Sequence, residues 1–301
     1  MHGLIPIALI ASLFLFSVFL AVALLKWRRN VQKRTRRSPL TSDLLRPPGQ
    51  RLREQLDEVG DDVDIYVSML MFLPALIYSV HVSQSYFGGA PETLTRWTFS
   101  GLLIFGGIAY CLTKLLRLQD KQDKLRIGYD AELAVGQELD QLMRQGAAVF
   151  HDFPAEKFNI DHVVISPVGV FAVETKGRAK PILEKGKAAQ VEYDGKALKF
   201  PTWIETEPIA QAERQAKWLR NWLTSAAGEP VAVRAVLAIP GWYVKRTGRG
   251  AVNVYSGREL ETLVSKGGFD TISTDKMQRI IHQVEQRCRN IEPTFNRVTK
   301  G

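Results

Sequence analysis

Two carboxylates and one amine occur within a predicted hairpin, residues 159–176, whose strands are otherwise apolar. The turn residues Ser166–Gly169 separate its two arms. If the ends of that turn face each other, counting back along both arms places Asp161 opposite Glu174; a bulge would shift this pairing by about one residue. Because side chains alternate along a strand, Glu174 and Lys176 share a face. The hairpin therefore predicts a divalent-metal site with an activated water beside it.

The chemistry follows from the residue types. Asp161 and Glu174 are hard oxygen donors of the kind that Mg²⁺ prefers, with waters and a substrate phosphate completing its coordination; Mn²⁺ is the alternative metal. Such a metal polarises a phosphoryl oxygen and lowers the pKa of a bound water. Lys176 would orient or deprotonate the attacking water and offset charge on the phosphorus. A plain Glu174–Lys176 salt bridge is the alternative, and it leaves Asp161 unexplained.

Glu132 is a third candidate ligand, on a helix predicted at Tyr129–Gln145. It shares a helical stripe with Gly136, Leu139 and Met143, and this stripe should face the core. A buried carboxylate without a partner is costly, and a metal shared with the hairpin acids would supply one. A position in the first helical turn would also let the helix dipole stabilise its charge. The alternative is an ordinary first-turn acid.

The elements that position these residues follow one another as helix, hairpin, strands, helix, strands and helices. This order predicts a mixed sheet with helices on both faces, an α/β domain. His162, on the face opposite Asp161, is predicted to be a packed, hydrogen-bonded core histidine. The predicted elements after the hairpin are strand pieces within 181–200, a helix at 207–224, a buried strand at 231–239, a short strand at 252–255, and helices at 257–265 and 273–289.

Two later segments carry candidate contacts to nucleic acid. The predicted helix at 207–224 has basic residues at spacings of three. A glycine-containing basic loop follows Trp242 and Tyr243, whose rings could stack on bases. An ordinary solvated surface is the alternative for both. The residues predicted to bind nucleic acid are Gln211, Arg214, Lys245, Arg246 and Arg249.

Three apolar runs are long enough to cross a bilayer: Gly3–Leu25, Ile65–Ser83 and Trp97–Leu116. Positive charge follows the first run, which favours a retained anchor over a cleaved signal peptide. Segment 26–62 carries ten Lys or Arg residues and segment 84–96 only one. The positive-inside rule therefore predicts an N-terminus outside and a cytoplasmic domain after about residue 117. We expect a multi-pass protein of a bacterial-type inner (plasma) membrane.

The composition of the chain indicates which classes of partner it could bind. The formal net charge of +9 favours an anionic partner, nucleic acid or an anionic membrane surface. Two cysteines give no basis for a disulfide framework. The predicted division is a first span at 1–26, a basic cytoplasmic loop at 27–63, two spans at 64–116, a linker at 117–127 and the α/β domain at 128–301.

The residues between about Gly128 and Ile239 resemble the nuclease-related domain, called NERD. That family is a branch of the PD-(D/E)XK superfamily of restriction-endonuclease-like nucleases. The chain has Ala131 where the family usually has glycine, and Glu207 where it often has asparagine. The segments that carry the resemblance are Gly128–Glu132, Asn159–His162, Gly169–Phe171, Glu174–Lys176, and Pro208 with Gln211.

The resemblance implies a restriction-endonuclease-like αβββαβ core and Mg²⁺-dependent cleavage of phosphodiester bonds. It implies that Asp161 and Glu174 are metal ligands, that Glu132 is a third, and that Lys176 is the catalytic lysine. A homodimer is an open alternative to a monomer, because many enzymes of this class cut two strands as dimers.

Three functions are compared. The preferred one is a membrane-anchored, Mg²⁺-dependent nuclease that acts on DNA at the cytoplasmic face. The second is a catalytically inactive nucleic-acid-binding or scaffold module tethered to the membrane; the complete set of Asp161, Glu174 and Lys176 argues against it. The third is a channel component, and the apolar runs argue against that because their one charged residue is Lys114, near the end of the third run.

Overall fold

The computed structural model describes residues 20, 23–28, 30–32, 35, 38–87, 89, 91–182, 189–266 and 268–293. Most of the predicted first span, Gly3–Leu25, lies outside these residues. The chain forms two compact units. The first takes in residues 58–121, and the second consists of Asp43–Asp57 and Gln122–Glu292.

The first unit contains the apolar parts of two long helices, α1 (Gln50–Phe87) and α2 (Leu94–Asp140). Within the described residues, these are the two helices whose length and apolarity would suffice to cross a membrane. They coincide with the second and third predicted spans. Large apolar side chains such as Met71, Leu102 and Phe105 are exposed along them, and exposed apolar surface of that kind is typical of membrane-spanning or protein-binding helices.

Helix α2 continues without a break from the apolar run through the predicted linker and into the α/β unit. Residues 117–127 contain no glycine or proline, so nothing in them ends a helix. The prediction that Glu132 lies in a first helical turn was therefore wrong, because its own helix has no N-terminus beside it. Gly146 ends this region with a left-handed φ of 81°, as the sequence predicted.

The second unit is a mixed α/β fold built on a five-stranded sheet in the order β10-β8-β4-β3-β2. Its hairpin strands β3 and β4 are antiparallel, whereas β8 runs parallel to both β4 and β10. A second sheet has the order β7-β6-β5-β9. The bounds are β2 Ala148–Pro154, β3 Asn159–Ser166, β4 Gly169–Thr175, β5 Gln190–Tyr193, β6 Leu198–Lys199, β7 Ile204–Glu205, β8 Val233–Ala238, β9 Tyr243–Arg246 and β10 Asn253–Tyr255.

Helices cover both faces of the five-stranded sheet. Helix α3 (Glu207–Ala227) buries the predicted apolar stripe against one face, and α5 (Thr274–Cys288) joins that core. The other face packs against the end of α2 and against a 3₁₀ turn (Gly257–Thr262) continued by the short helix α4 (Leu263–Lys266). The mixed sheet between helices that the sequence predicted is confirmed.

The segment before the long helices also belongs to the second unit. Strand β1 (Leu44–Leu45) pairs antiparallel with β11 (Arg289–Ile291) near the end of the described chain. Gly49, with φ +70°, packs close to Tyr129 on α2. Part of the predicted basic loop is therefore a structural element of the α/β unit.

Candidate active site

The hairpin has the register that the turn predicts. Ser166 pairs with Gly169, and the ladder continues in step to His162 and Val173. This register carries no bulge, so the next positions along are Asp161 and Glu174. The backbone N–H of Thr175 donates to Asp161 Oδ2 at 2.6 Å, which fixes this carboxylate at the end of β4.

Glu174 and Lys176 lie together at the point where the central strand ends. Lys176 Nζ is 2.5 Å from Glu174 Oε1. The backbone N–H of Lys176 donates to Ala238 O on the neighbouring parallel strand, which holds the chain in place beyond β4. Glu174 is 2% exposed, and its Oε2 has no hydrogen-bond partner among the described residues. A buried carboxylate oxygen without a partner is costly unless a cation or a donor is supplied.

Two acids of this cluster, Asp161 and Glu132, have raised pKa values. Burial raises the pKa of Asp161 well above its usual value, and the charges of Glu174 and Glu132 raise it further. Burial, with Asp152 and Glu174 adding to it, raises the pKa of Glu132 to about 8. Lys176 acts in the opposite direction on both groups. The cluster therefore holds more acid than its lysine neutralises.

This cluster fits a divalent cation in part. The unpartnered Oε2 of Glu174 and the neighbouring Asp161 are hard oxygen donors, and Mg²⁺ is commonly held by one or two carboxylates plus waters and substrate phosphates. Within the part of the chain that the structure describes, no three His, Cys, Asp or Glu side chains form a set that could hold a metal ion. The geometry thus favours Asp161 and Glu174 as a two-carboxylate site, with Glu132 beside it.

The raised pKa of Glu132 makes stability depend on pH. In metal-free protein, unfolded Glu132 ionises near its ordinary pKa of 4.5 and folded Glu132 near 8. The unfolded state therefore releases this proton first, so the stability present below pH 4.5 is lost as pH rises toward 8. Each unit of pKa difference is worth about 1.4 kcal/mol. We expect Glu132→Gln to flatten this pH dependence in thermal unfolding with EDTA, and an unchanged profile would contradict the placement of Glu132.

Two buried histidines form a chain of hydrogen bonds behind the carboxylates. His151 Nε2 is 3.1 Å from Asp140 Oδ1, and the Nδ1 atoms of His151 and His162 are 2.9 Å apart. His162 Nε2 is in turn 3.2 Å from Thr175 Oγ1. Burial and the neighbouring His151 hold the pKa of His162 well below its ordinary value. The prediction of a packed, hydrogen-bonded core histidine is confirmed, and its partner Thr175 is the residue that donates to Asp161.

Asp152 is a buried residue that the sequence did not single out. Its Oδ2 accepts from the Arg46 guanidinium, at 2.8 Å from Nε and 2.5 Å from Nη2, and from the Arg51 backbone N–H. Asn159 Nδ2 donates to its other oxygen at 2.7 Å. Asp152 has a φ of 46°, a left-handed value that is rare outside glycine. The sequence around Asp152 gave no signal for these hydrogen bonds, because Arg46 lies 106 positions away along the chain.

The residues predicted to bind nucleic acid differ in their exposure and in their ion pairs. Arg214 forms an exposed ion pair with Glu207 on α3, and Gln211 lies one turn earlier, partly buried. Lys245 and Arg249 are exposed, whereas Arg246 is bound to Glu259. The prediction that Trp242 stacks on a base was wrong. Trp242 is 2% exposed, and its Nε1 donates to Arg178 O.

One residue near the end of helix α2 also lies in a different environment from the one predicted. Met143 was predicted on the core stripe with Glu132, yet it is 48% exposed. The chain tightens into a 3₁₀ turn at Gln141–Gln145, where three residues complete a turn. This change of period moves Met143 off the buried stripe, while Leu139 remains fully buried.

An α/β domain with an acidic pair and a lysine at the end of its central strand has the groups that metal-assisted phosphodiester chemistry uses. Residues 127–240 match the family model NERD, the nuclease-related domain. This segment of the chain is therefore similar to the nuclease-related domain, and the resemblance inferred from the sequence is confirmed. The match includes Glu132, the hairpin, α3 and β8. Searches of the curated proteins and of the solved structures found no match to this chain.

Proposed function

We propose that the α/β unit is a Mg²⁺-dependent nuclease that hydrolyses phosphodiester bonds of DNA. The observation that carries this proposal is the Oε2 atom of Glu174, buried without a hydrogen-bond partner in the described residues, beside two acids with raised pKa values. A divalent cation neutralises that surplus of buried acid. The match to the nuclease-related domain supports the same reaction class.

Asp161 and Glu174 would hold the metal, which supplies a polarised phosphoryl oxygen and a more acidic bound water. The Thr175 N–H keeps Asp161 in place, so this ligand needs no reorganisation when the metal binds. Lys176, held at Glu174 and 21% exposed, is placed to orient the attacking water and to offset negative charge on the phosphate. Glu132 would act on the same ion through a bound water rather than as a third direct ligand.

We propose that this nuclease acts at the cytoplasmic face of an inner membrane. The chain leaves the second unit at Asp57 and returns to it at Gln122. If the apolar parts of α1 and α2 each cross a bilayer, the chain crosses once after Asp57 and crosses back before Gln122. Both parts of the second unit are then on the same side of the membrane. The basic segment 26–62 and the positive-inside rule favour the cytoplasmic side.

One observation favours a second candidate, a catalytically inactive module that binds nucleic acid. The described residues contain no set of three ligands that could hold a metal ion. A fold that has lost its chemistry could retain the Glu174–Lys176 pair as a plain salt bridge. The two candidates differ in whether the protein binds Mg²⁺ and cuts.

The test uses the full-length protein purified in detergent with plasmid, single-stranded DNA and RNA as substrates. We expect cutting of DNA with Mg²⁺ or Mn²⁺ and none with EDTA. We expect Asp161→Asn to lower the rate by about 100-fold or more, because it removes a metal ligand. Asp123→Asn, an exposed acid on α2, is the matched control. Absence of cutting on every substrate with both metals, together with binding of DNA, would establish the inactive module instead.

A further inference from the structure

A cavity of about 580 Å³ lies between β8, β10 and the loop after β9. Four of its lining side chains are basic and one is acidic, a net charge of +3; they are Arg234, Arg246, Arg249, Lys266 and Glu259. A concave surface of one charge sign concentrates counter-ions of the opposite sign. The volume falls within the range of pockets that hold small molecules and cofactors.

This cavity is separate from the carboxylate cluster. In the parallel pairing of β4 with β8, Glu174 lies beside Leu237 and Phe171 lies beside Arg234. Because side chains alternate along a strand, Glu174 and Arg234 lie on opposite faces of the sheet. The cavity therefore belongs to the face covered by the 3₁₀ turn Gly257–Thr262, whereas Glu174 lies on the face covered by α3.

The loop on the rim of the cavity is fixed against strand β5. The backbone N–H groups of Thr247 and Gly248 both donate to Tyr193 O, at 2.8 and 3.3 Å. A side chain at Gly248 would collide with the Asp194 carbonyl, and one at Gly250 would collide with Tyr193 Oη. These close approaches require glycine. Because the loop is held by its backbone, its one long side chain, Arg249, projects from a fixed position.

Two of the four basic side chains are held in place by other groups. Arg246 Nε donates to Val254 O at 2.8 Å, and its Nη atoms contact the carboxylate of Glu259. The Arg234 guanidinium lies 4.2 Å from the centre of the Phe269 ring. Glu259 is itself fixed, because the Ser256 N–H donates to it at 3.0 Å. Both arginines are therefore positioned by neighbouring groups before any ligand binds.

The other two basic side chains have no such role. Arg249 and Lys266 are exposed, and in the described part of the chain no ion pair or side-chain hydrogen bond engages either of them. The two fixed arginines, together with the exposed charges of Arg249 and Lys266, could bind several anionic oxygens at once. Phosphate groups have that chemistry, and guanidinium forks match it.

The geometry points to a second ligand site in this cavity, one that binds a terminal phosphate or polyphosphate group. Two sources share this chemistry: a free nucleoside polyphosphate, and the 5′-phosphate end of a nucleic-acid strand. The site lies on the other face of the sheet from Glu174 and requires no metal. It therefore goes beyond the proposed nuclease activity and does not depend on it.

The experiment measures binding to the full-length protein in detergent with EDTA present, so that the carboxylate cluster is metal-free. Pyrophosphate and ATP are titrated by calorimetry, and 5′-phosphorylated and 5′-hydroxyl forms of one oligonucleotide by fluorescence anisotropy. We expect pyrophosphate to bind. We expect the double variant Arg249→Gln/Lys266→Gln to weaken that binding by about tenfold or more, since it removes two charge-assisted contacts.

Two controls make the result specific to this cavity. Arg144→Gln/Lys157→Gln removes one exposed arginine and one exposed lysine elsewhere on the same unit, and it should bind pyrophosphate as the wild type does. Glu174→Gln should also bind it normally, whatever its effect on cutting. A preference for ATP identifies a free nucleotide as the ligand, and a preference for the phosphorylated oligonucleotide identifies a strand end. Failure to bind pyrophosphate, or equal binding by the Arg249→Gln/Lys266→Gln variant, overturns the proposal and leaves the nuclease proposal intact.

Discussion

Replacing Lys176 with alanine is expected to lower the rate of DNA cutting by about 100- to 10,000-fold, the range for removing a general acid–base group or a preorganised charge stabiliser. The reason is its position: Nζ lies 2.5 Å from Glu174 Oε1 at the end of the central strand, beside Asp161. The measurement is single-turnover cutting of plasmid DNA by the full-length protein. Metal affinity and DNA affinity, measured separately, should change little.

The matched control for this variant is Lys180→Ala. Lys180 lies four residues further along, is exposed, and contacts the Trp242 ring rather than the acids. It should retain full activity. Because Lys176→Ala also leaves Glu174 Oε1 without its partner, the folded state of the variant must be checked by its melting temperature in saturating Mg²⁺. A stable Lys176→Ala protein that cuts at the wild-type rate would assign this lysine to a salt bridge alone.

Replacing Arg46 with alanine is expected to destabilise the α/β unit by about 3–5 kcal/mol, the cost of leaving a buried charge without its partner. The Arg46 and Asp152 side chains are 11% and 3% exposed, and the guanidinium donates to one carboxylate oxygen through two nitrogens. Asp152 would keep the Arg51 N–H and Asn159 as donors but lose its counter-ion. Urea unfolding followed by tryptophan fluorescence measures the change, as a lower midpoint at an unchanged slope.

Arg53→Ala provides the comparison for that experiment. Arg53 is in the same segment, is exposed, and should change stability by no more than about 0.5 kcal/mol. Equal midpoints for the two variants would show that the Arg46–Asp152 ion pair adds no stability to the unit. The same reasoning predicts that a protein beginning at residue 117 would be less stable than the full chain, since it lacks Arg46 altogether.

The local parts of this protein follow from the order of its residues alone. The Ser166–Gly169 turn sets the hairpin register, because a two-residue slip is excluded by turn geometry and a one-residue slip would move every buried side chain to the other face. This register is sufficient to bring Asp161 to the end of β4. The apolar stripe of α3 and the near-continuous apolar run of β8 likewise follow from the local sequence pattern. For these elements the deciding interactions lie within a few residues or one strand pair.

Side-chain contacts between residues far apart in the chain became visible only in the folded structure. Asp152 and Arg46 are joined across 106 positions, and His151 reaches Thr175 only through His162 on the neighbouring strand. The continuation of α2 through the predicted linker removed the helix N-terminus that the sequence had suggested for Glu132. Burial of Trp242 and the gathering of Arg234, Arg249 and Lys266 around one cavity arise from packing between two sheets. Such contacts leave no periodic pattern in the sequence. They depend on the shape and charge of the folded chain rather than on local backbone geometry.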